Sequence, residues 1–387
     1  RVAEIGRGFD ATFEIGNLAL QRCGLKASTD VSEIADATFY IVTVPTPINE
    51  ARQPNLSPLK SACEAIAPVL KPDDIVVFES TVYPGVTEEF CAPILEEISG
   101  LKAGVDFGLG YSPERINPGD KVNTIDKVTK IVAADSPETL ARVEAVYNMV
   151  VTAGLHAAEN IKVAEAAKVL ENTQRDINIA LMNEMSLICD KIGINTRDVI
   201  DAAATKWNFL PFVPGLVGGH CIGVDPYYLS MLAEKVGHHP QVILAGRRTN
   251  DGMVRHVANA ALRLMIERGD SVRDMRVGVC GITFKEDVPD IRNSKTLELV
   301  EFLRGYSIDS IVHDPHCDPD DAKALGFELC ETDQFVDLDL LILATPHRKY
   351  VEDRNFLNRI KPSGILMDVK GVYRNSDQAK ALTYWSL

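Results

Sequence analysis

Residues 39–82 read FYIVTVPTPINEARQPNLSPLKSACEAIAPVLKPDDIVVFESTV, and this stretch decides the fold. Two short apolar runs, FYIVTVP and DIVVFESTV, flank a segment with helical spacing, LSPLKSACEAIAPVL. A second helical segment from Thr87 and a further strand-like run, DFGLGYSPE (106–114), continue the pattern. Short β-rich runs that alternate with helices indicate parallel strands joined by crossover helices. The first part of the chain is therefore predicted to form a doubly wound α/β domain.

Polar residues follow each of these three strands. Pro45 and Thr46 come after the first strand, Ser80 and Thr81 after the second, and residues 112–114 (SPE) after the third. In open parallel sheets, ligands bind outside the carboxyl ends of the strands. Each polar residue alone could simply cap a helix, but the three sets together favour a binding crevice.

Residues 159–192, ENIKVAEAAKVLENTQRDINIALMNEMSLICDKI, contain neither Pro nor Gly and keep an apolar helical spacing. This length exceeds that of most globular helices and suggests a spine that joins domains or packs on a partner. Lys168 and Asn172 are four residues apart and therefore share a helix face. A solvated polar stripe is the simpler interpretation. The surrounding AEAAKVL nevertheless predicts a lysine that is desolvated or paired, which favours a site lysine.

Residues 218–226 read GGHCIGVDP, and we place the chemistry here. Glycines allow backbone conformations closed to other residues and let a ligand approach closely. Cys221 lies between Gly219 and Gly223. It is a candidate nucleophile, because a locally positive or hydrogen-bonding setting activates a thiol. Asp225 offers a carboxylate four residues further on. The alternative is a buried structural cysteine in a tight turn.

Residues 274–387 restart the α/β alternation after a further long helical segment (241–268). Four strand-like runs, RVGVCGITF, DSIVHDP, DLLILATPH and GILMDVKG, predict a second doubly wound domain. The segment after the first run brings Lys285 and Arg292 to that strand's carboxyl end. Two cations at such a position suit a phosphate or nucleotide group, although ordinary surface charges are the alternative.

Length and composition exclude several classes of protein. A chain of 387 residues fits two or three domains. A net charge of −15 argues against a general nucleic-acid or membrane-surface binder. The eight cysteines include no C-x-x-C pair, which disfavours a zinc site or a disulfide framework, so we expect no metal and a reducing cytoplasm. No apolar run approaches the roughly 18 residues of a membrane span, and no signal peptide is visible.

Six segments in the same order along nearly the whole chain carry a family resemblance: VTVPTP, ESTVYPG, YSPERINPG, AKVLENT, GGHCIGVDP and GITFKEDVPDIRNS. On these segments the sequence resembles the nucleotide-sugar 6-dehydrogenases, which act on UDP-glucose, GDP-mannose or UDP-N-acetylhexosamines. The resemblance implies an NAD-binding Rossmann domain at 1–150, a central helical dimerisation domain at 151–255, and a UDP-sugar-binding Rossmann-like domain at 256–387. It also implies a homodimer formed through the central domain.

Family members open with a strand, a G-x-G-x-x-G turn and an acidic ribose ligand. This sequence has no such turn, and it begins at Arg1, which matches a position a few residues beyond that acidic ligand. We therefore expect the start of the first Rossmann domain, about 30–40 residues with the glycine loop, to be missing ahead of Arg1. Without that segment, NAD should bind very weakly or not at all.

The resemblance assigns roles to individual residues. The residues implied in catalysis are Cys221 as nucleophile, Lys168 and Asn172 as stabilisers of negative oxygen, Asp225 and Thr81 as holders of a water, and Glu114 in thioester hydrolysis. Those implied to contact the UDP-sugar are Arg115, Ile116, Phe209, Leu210, Gly218, Phe284 and Lys285. Those implied to contact NAD are Arg1, Val44, Pro45, Thr46, Ser80 and Arg292.

The chemistry of such an enzyme explains the need for a thiol. Oxidation of the C6 alcohol to a carboxylate removes four electrons, hence two hydrides, which two NAD accept. A cysteine captures the intermediate aldehyde as a thiohemiacetal, and the second hydride transfer leaves a thioester that water cleaves.

The GGHC loop, with WNFLPFVPGLVGGHC and SPERINPG, is similar to the N-acetylhexosamine branch. It implies UDP-N-acetylglucosamine or UDP-N-acetylgalactosamine as substrate and the synthesis of a surface or capsular polysaccharide precursor. UDP-N-acetylmannosamine and UDP-glucose are the alternative substrates. A two-electron β-hydroxyacid dehydrogenase and a nonenzymatic sugar-nucleotide binder are the alternative functions.

Overall fold

The computed structural model describes residues 2–10, 16–49, 52–117 and 119–387. The chain divides into two compact units. The first contains Arg1–Asn172 and Tyr227–His239, and the second contains Thr173–Pro226 and Pro240–Leu387. None of the described helices combines the length and hydropathy that a membrane span requires.

The first unit contains a five-stranded sheet whose spatial order follows the order of the chain. Its strands are β1 (Phe39–Val42), β2 (Ile75–Phe78), β3 (Gly108–Tyr111), β4 (Lys130–Ala134) and β5 (Leu155–Ala157). Strands β1, β2 and β3 are parallel, as the alternation predicted. Strand β4 instead runs antiparallel to β3. The described residues between these two strands form no helix, and an antiparallel neighbour needs no crossover helix.

Helices pack on both faces of this sheet. The helices that lie wholly within the described part of this unit are Val2–Gly6, Asn17–Arg22, Ser57–Ile66, Ala92–Ser99 and Pro137–Tyr147. In strand β2, Val76 packs with Leu59 on one face, whereas Val77 packs with Val143 on the other. Successive strand residues point to opposite faces. The uniformly apolar β2 is therefore buried on both sides, as is typical of parallel sheets.

The predicted spine is a single helix, Ile161–Ile192, of 32 residues. At 1.5 Å per residue it is about 48 Å long. The side chain of Asn160 accepts a hydrogen bond from the Val163 amide and so caps the start of the helix. Gly193 follows the last turn with a φ of 73°, a left-handed conformation that suits glycine and ends the helix.

The second unit contains a second five-stranded sheet, in the order β10-β9-β8-β6-β7. Its strands are β6 (Val277–Cys280), β7 (Ser310–His313), β8 (Leu338–Leu343), β9 (Ile360–Asp368) and β10 (Thr383–Trp385). All of these neighbours pair in parallel. The four predicted strands are present, and β10 is an additional one. The strand order reverses at β6, and ligands bind at such a switch point in doubly wound sheets.

The remaining helices are Thr196–Ala204, Asp225–Lys235, Gln241–Arg268, Lys295–Gly305, Pro319–Ala324 and Arg348–Val351. The long Gln241–Arg268 helix buries Met253 and Val257 in the core of the second unit together with Val279 of β6. It also contacts the spine helix through a buried ion pair, in which the Arg247 guanidinium lies 2.6 Å from the Asp176 carboxylate. This pair fixes the part of the spine helix from Thr173 onward to the core of the second unit, to which both residues belong.

Candidate active site

The loops after β1 and β2 are joined by side-chain hydrogen bonds. The Ser80 hydroxyl donates to the Val44 carbonyl at 2.6 Å, and the Thr46 hydroxyl donates to the Thr81 carbonyl at 2.6 Å. The hydroxyl of the buried Tyr228 donates to the Thr46 carbonyl. The residues predicted to contact NAD at these strand ends therefore lie side by side. Arg1, the remaining predicted contact of the first unit, lies outside the described residues.

A buried carboxylate holds the next part of this loop, and the sequence reasoning missed it. Glu165 of the spine helix accepts hydrogen bonds from the amides of Gly85 at 2.5 Å and Thr87 at 2.9 Å. The Glu165 side chain is 0% exposed, and burial raises its pKa to about 7 despite these two hydrogen bonds. The only sequence signal was its position three residues before Lys168, one helical turn away.

Lys168 and Asn172 follow Glu165 on the spine helix. Lys168 is 7% exposed, and its ammonium has no hydrogen-bond or ion-pair partner among the described residues. Asn172 is half-buried one turn further on. A largely buried lysine that pairs with no anion among the described residues favours a ligand that carries, or develops, negative charge. This is the property that an oxyanion-stabilising lysine requires.

The predicted acid–base residue Glu114 lies in a network with a buried lysine. One oxygen of its carboxylate accepts hydrogen bonds from the Arg115 and Ile116 amides, each at 2.6 Å. The other lies 3.4 Å from the ammonium of Lys130, which is 4% exposed and also 3.4 Å from Glu79. The sequence reasoning did not identify Lys130, because an isolated lysine at the start of a strand carries no signal. The network fixes the orientation of the Glu114 carboxylate.

Arg115, a predicted substrate contact, pairs with the spine helix. Its guanidinium donates to both carboxylate oxygens of Glu171, at 2.5 and 3.2 Å, and to the Thr129 carbonyl at 2.8 Å. The described structure therefore engages this guanidinium in holding the segment after β3. The neighbouring Ile116, also a predicted substrate contact, is half-buried.

The predicted nucleophile loop lies in the second unit. The Cys221 side chain is exposed, which removes the interpretation of a buried structural cysteine. Its carbonyl accepts hydrogen bonds from the amides of Val224 at 3.0 Å and Asp225 at 2.9 Å. These bonds lead into the helix that begins at Asp225, whose side chain is 2% exposed.

The glycines of this loop allow close packing against the segment after β6. A Cβ on Gly218 would lie 2.6 Å from the Asn293 carbonyl oxygen, and one on Gly219 would lie 2.7 Å from the Phe284 ring. Gly219 also has a φ of 82°. The same segment carries the half-buried Lys285, a predicted substrate contact. The structure thus packs the thiol loop (residues 218–226) against Phe284, one of the residues predicted to hold the sugar nucleotide.

Among the other predicted residues of the second unit, Leu210 and Arg292 are exposed. Leu210 is 58% exposed and the adjacent Phe209 is half-buried, in a loop without helix or strand. The loop is anchored further on, where the Asn183 amide side chain exchanges hydrogen bonds with the backbone of Gly215 at 2.8 and 3.1 Å. Arg292, a predicted cofactor contact, is largely exposed, and its guanidinium donates two hydrogen bonds to the Asp290 carboxylate.

A cluster of Asp287, His316 and His347 brings three possible metal-ligand atoms within 4.8 Å of one another. Nevertheless, the Nδ1 atom of His347 accepts a hydrogen bond from the Asp287 amide at 2.9 Å. Its Nε2 atom lies 3.1 Å from the Asp314 carboxylate, to which it donates. Both ring nitrogens therefore serve the fold, and the cluster is explained as a hydrogen-bonded support for this loop.

Two α/β units whose sheets are mainly parallel, strand-end loops suited to nucleotides and an exposed thiol define a nucleotide-dependent enzyme. The sequence matches three domains of the UDP-glucose/GDP-mannose dehydrogenase family: the NAD binding domain (residues 14–151), the central domain (162–252) and the UDP binding domain (278–375). The chain belongs to this family. It is an NAD-dependent nucleotide-sugar dehydrogenase, which confirms the prediction made from the six sequence segments.

Individual relatives narrow the comparison. Protein CapL of Staphylococcus aureus is 47% identical over 389 residues, with 100% of this chain and 92% of the relative covered. The UDP-N-acetyl-D-glucosamine 6-dehydrogenase of Pseudomonas aeruginosa is 47% identical over 374 residues, with 96% and 89% covered. The structure of a UDP-D-ManNAc dehydrogenase from Pyrococcus horikoshii superposes with a TM-score of 0.88 at 26% identity, with 100% of this chain and 91% of that chain covered.

The residues at the ends of β1 and β2 fit NAD, the cofactor of the family. Pro45 is exposed and Val44 half-buried, and they offer an apolar surface for a flat ring. The Ser80 and Thr46 hydroxyls are already bonded to neighbouring carbonyls. Because these residues follow the carboxyl ends of β1 and β2, the surface lies at the edge where parallel α/β sheets hold dinucleotides.

Proposed function

We propose that this protein oxidises the C6 alcohol of a UDP-N-acetylhexosamine, UDP-N-acetylglucosamine or UDP-N-acetylgalactosamine, to the uronic acid. The observation that carries this proposal is the exposed Cys221 in a glycine loop packed against Phe284 and Asn293. The 47% identity to a UDP-N-acetyl-D-glucosamine 6-dehydrogenase supports the substrate class and favours the gluco isomer. The product would be a precursor of a surface polysaccharide.

The reaction proceeds through a covalent adduct at Cys221. When bound, NAD is the acceptor of the hydride that leaves C6 in each of the two oxidations. After the first round, the Cys221 sulfur attacks the aldehyde carbon and forms a thiohemiacetal. The second oxidation converts this adduct to a thioester, and water then releases the carboxylate and restores the thiol.

Other residues stabilise charge and move protons. Lys168 and Asn172 donate to the oxygen that becomes negative in each step; the Lys168 side chain is 7% exposed and forms no ion pair with the described residues. Asp225 and Thr81 hold a water that takes the released protons. Glu114 assists the hydrolytic water, and Lys130 keeps its carboxylate oriented.

Binding is divided between two groups of residues, one for the sugar nucleotide and one for the cofactor. We assign the sugar nucleotide to Phe284, Lys285, Phe209, Leu210 and Gly218, with Arg115 and Ile116 as further contacts. The cofactor contacts are assigned to Val44, Pro45, Thr46, Ser80 and Arg292, with Arg1.

We also propose domains at 1–150, 151–255 and 256–387, and a cytoplasmic location that keeps the Cys221 thiol reduced.

A homodimer formed through the central domain completes the proposal. The spine helix presents Leu181, Ile188 and Ile192 with 55%, 45% and 61% of their surface exposed. Their spacings of seven and four residues place them on one helix face. A second copy of this face would bury them. Sedimentation equilibrium tests this assignment, and a monomer at assay concentrations would contradict it.

The decisive experiment is a panel of UDP-sugars assayed with NAD and the full-length protein. Two NADH for each sugar, with fastest turnover on an N-acetylhexosamine, is the expected result. A single NADH for each sugar would contradict the covalent mechanism and favour a two-electron dehydrogenase. Preference for UDP-N-acetylmannosamine or UDP-glucose would contradict the assigned substrate.

Replacement of the nucleophile separates catalysis from binding. Cys221→Ser should stop acid production at or before the second oxidation while sugar-nucleotide binding persists. Cys23→Ser, at another exposed cysteine, is the matched control and should retain full activity. Unchanged acid production by Cys221→Ser would refute the nucleophile assignment. Thermal stabilisation of wild type by UDP-sugar without any NADH production would instead indicate a nonenzymatic binder.

A further inference from the structure

The residue immediately before Cys221 makes a side-chain bond across to the segment after β6. The Nε2 atom of His220 lies 3.0 Å from a carboxylate oxygen of Asp290. An ionised carboxylate only accepts hydrogen bonds, so the proton of this bond is carried by Nε2. The imidazole also meets the Phe284 ring edge-on, with the ring centres 6.2 Å apart. Two contacts therefore fix the orientation of the His220 side chain.

Asp290 is itself held firmly, so it provides a rigid anchor. Its carboxylate accepts three hydrogen bonds from Arg292, one from the backbone amide at 3.0 Å and two from the guanidinium at 3.0 and 2.8 Å. Its backbone carbonyl accepts a hydrogen bond from the Phe284 amide at 3.0 Å. Asp290 thus sets the position of the loop that carries Phe284.

Gly218 and Gly219, which precede His220, meet this segment through their backbone, and the Asn293 side-chain amide donates to the Gly219 carbonyl at 3.5 Å. The Gly219 amide donates to the Asn293 carbonyl at 3.3 Å, a long and weak bond. Gly218 and Gly219 have no side chains with which to add contacts. His220 is consequently the first side chain of the loop that reaches the anchored segment, and its bond to a charged acceptor is of the stronger kind.

We propose that His220 is a positioning residue that holds Cys221 in register with the residues that bind the sugar nucleotide. The proposal rests on the function of Cys221 proposed above. His220 acts through the loop: with the imidazole bonded to Asp290, the sulfur of the next residue keeps a constant place relative to Phe284. Without this bond, the packing of the two glycines and the two long Gly219–Asn293 hydrogen bonds remain to hold this part of the loop, and we expect it to shift more readily.

A pair of amide substitutions tests this role by reach. In His220→Gln, the side-chain nitrogen lies about as far from the backbone as imidazole Nε2 and can still donate to Asp290. In His220→Asn, the nitrogen is one methylene closer to the backbone and cannot reach. We expect His220→Asn to lower kcat roughly tenfold to a hundredfold, the cost of a misplaced reacting group, with a smaller change in KM for the UDP-sugar. His220→Gln should recover most of the lost rate.

Hydrogen exchange gives a second readout that does not depend on turnover. Amides of residues 217–224 should exchange faster in His220→Asn than in wild type, and His220→Gln should restore the protection. His238→Asn, at an exposed histidine of the other unit, is the control and should match wild type in both measurements. Both variants of residue 220 remain polar and differ by one methylene, so equal melting temperatures would exclude misfolding as the cause.

Several outcomes would overturn the role of His220. Full kcat and unchanged exchange in His220→Asn would show that the bond to Asp290 does not position the thiol. Equal losses in the Asn and Gln variants would assign the effect to the ring itself and contradict a hydrogen-bonded anchor. If Cys221→Ser retained acid production, the proposed function would fail, whereas an inactive Cys221→Ser with a fully active His220→Asn would refute only the positioning role.

Discussion

Glu165 gives a quantitative test of how the strand-end loop is attached to the spine helix. Its carboxylate is fully buried and accepts hydrogen bonds from the Gly85 and Thr87 amides. Burial disfavours the ionised form more than these two bonds favour it, so its pKa rises from 4.5 to about 7. Replacement by glutamine keeps the shape of the side chain and removes its titration.

The sign follows from the protons bound in each state. Between pH 4.5 and 7 the folded protein holds a proton on Glu165 that the unfolded chain has released, so wild-type stability falls as pH rises through this window. One pKa unit corresponds to about 1.4 kcal/mol. Between about pH 5.5 and 8.5 the Glu165 contribution should therefore decrease by about 2 kcal/mol. Glu165→Gln lacks this contribution.

Urea unfolding of wild type and Glu165→Gln across this pH range measures the difference directly. The free energy of unfolding of the variant, relative to wild type, should rise by about 2 kcal/mol from the low to the high end. All other titrating groups are shared and cancel. Glu97→Gln, at an exposed glutamate of the same unit, should run parallel to wild type. If the curve for Glu165→Gln also ran parallel to wild type, the pKa of Glu165 would be ordinary. The argument that burial of this carboxylate raises its pKa would then fail.

Three further substitutions have expected outcomes. Lys168→Ala should lower kcat by about 10²–10³ without loss of thermal stability, because the ammonium has no partner in the described fold; an unchanged kcat would remove it from catalysis. Lys130→Met should lower the free energy of unfolding by about 3 kcal/mol, measured in urea, since two carboxylates lose their buried cation; a stability equal to wild type would contradict the network. Gly219→Ala should lose about 1–2 kcal/mol of stability and most activity, because its φ is 82° and a Cβ would meet the Phe284 ring; a fully active, equally stable variant would show that the loop can be rebuilt.

The sequence predicted those parts of the fold that local patterns determine. The apolar runs of β2 and β8 and the uninterrupted helical spacing of residues 159–192 each specify an element without reference to the rest of the chain. The direction of β4 was not predictable in this way. It depends on the connection from β3, whose described residues form no helix. The apolar pattern of the KIVAA strand is compatible with either strand direction.

Local spacing singled out Lys168 and Asn172, which share one helix face, whereas Thr81 and Glu114 were candidates only through the family resemblance. Their supports were missed because each one contacts a distant part of the chain. Glu165 meets Gly85 80 residues away, and His220 meets Asp290 70 residues away. Burial of Lys130 is likewise a property of the folded sheet. A single sequence carries no record of such contacts, so residues that support a loop from a distant part of the chain are harder to predict than candidates that share a local motif.

The neighbours of Lys168 explain why this lysine forms no ion pair with the described residues in a protein of net charge −15. Glutamates at three residues before and three after it, Glu165 and Glu171, are placed where helical side chains normally form ion pairs with a lysine. Glu165 instead accepts the Gly85 and Thr87 amides, and Glu171 accepts the Arg115 guanidinium. Because both carboxylates are engaged by the loops after β2 and β3, neither neutralises the ammonium. The same bonds that fix these loops therefore leave Lys168 without an ion pair among the described residues, which is the state that the proposed role of Lys168 requires.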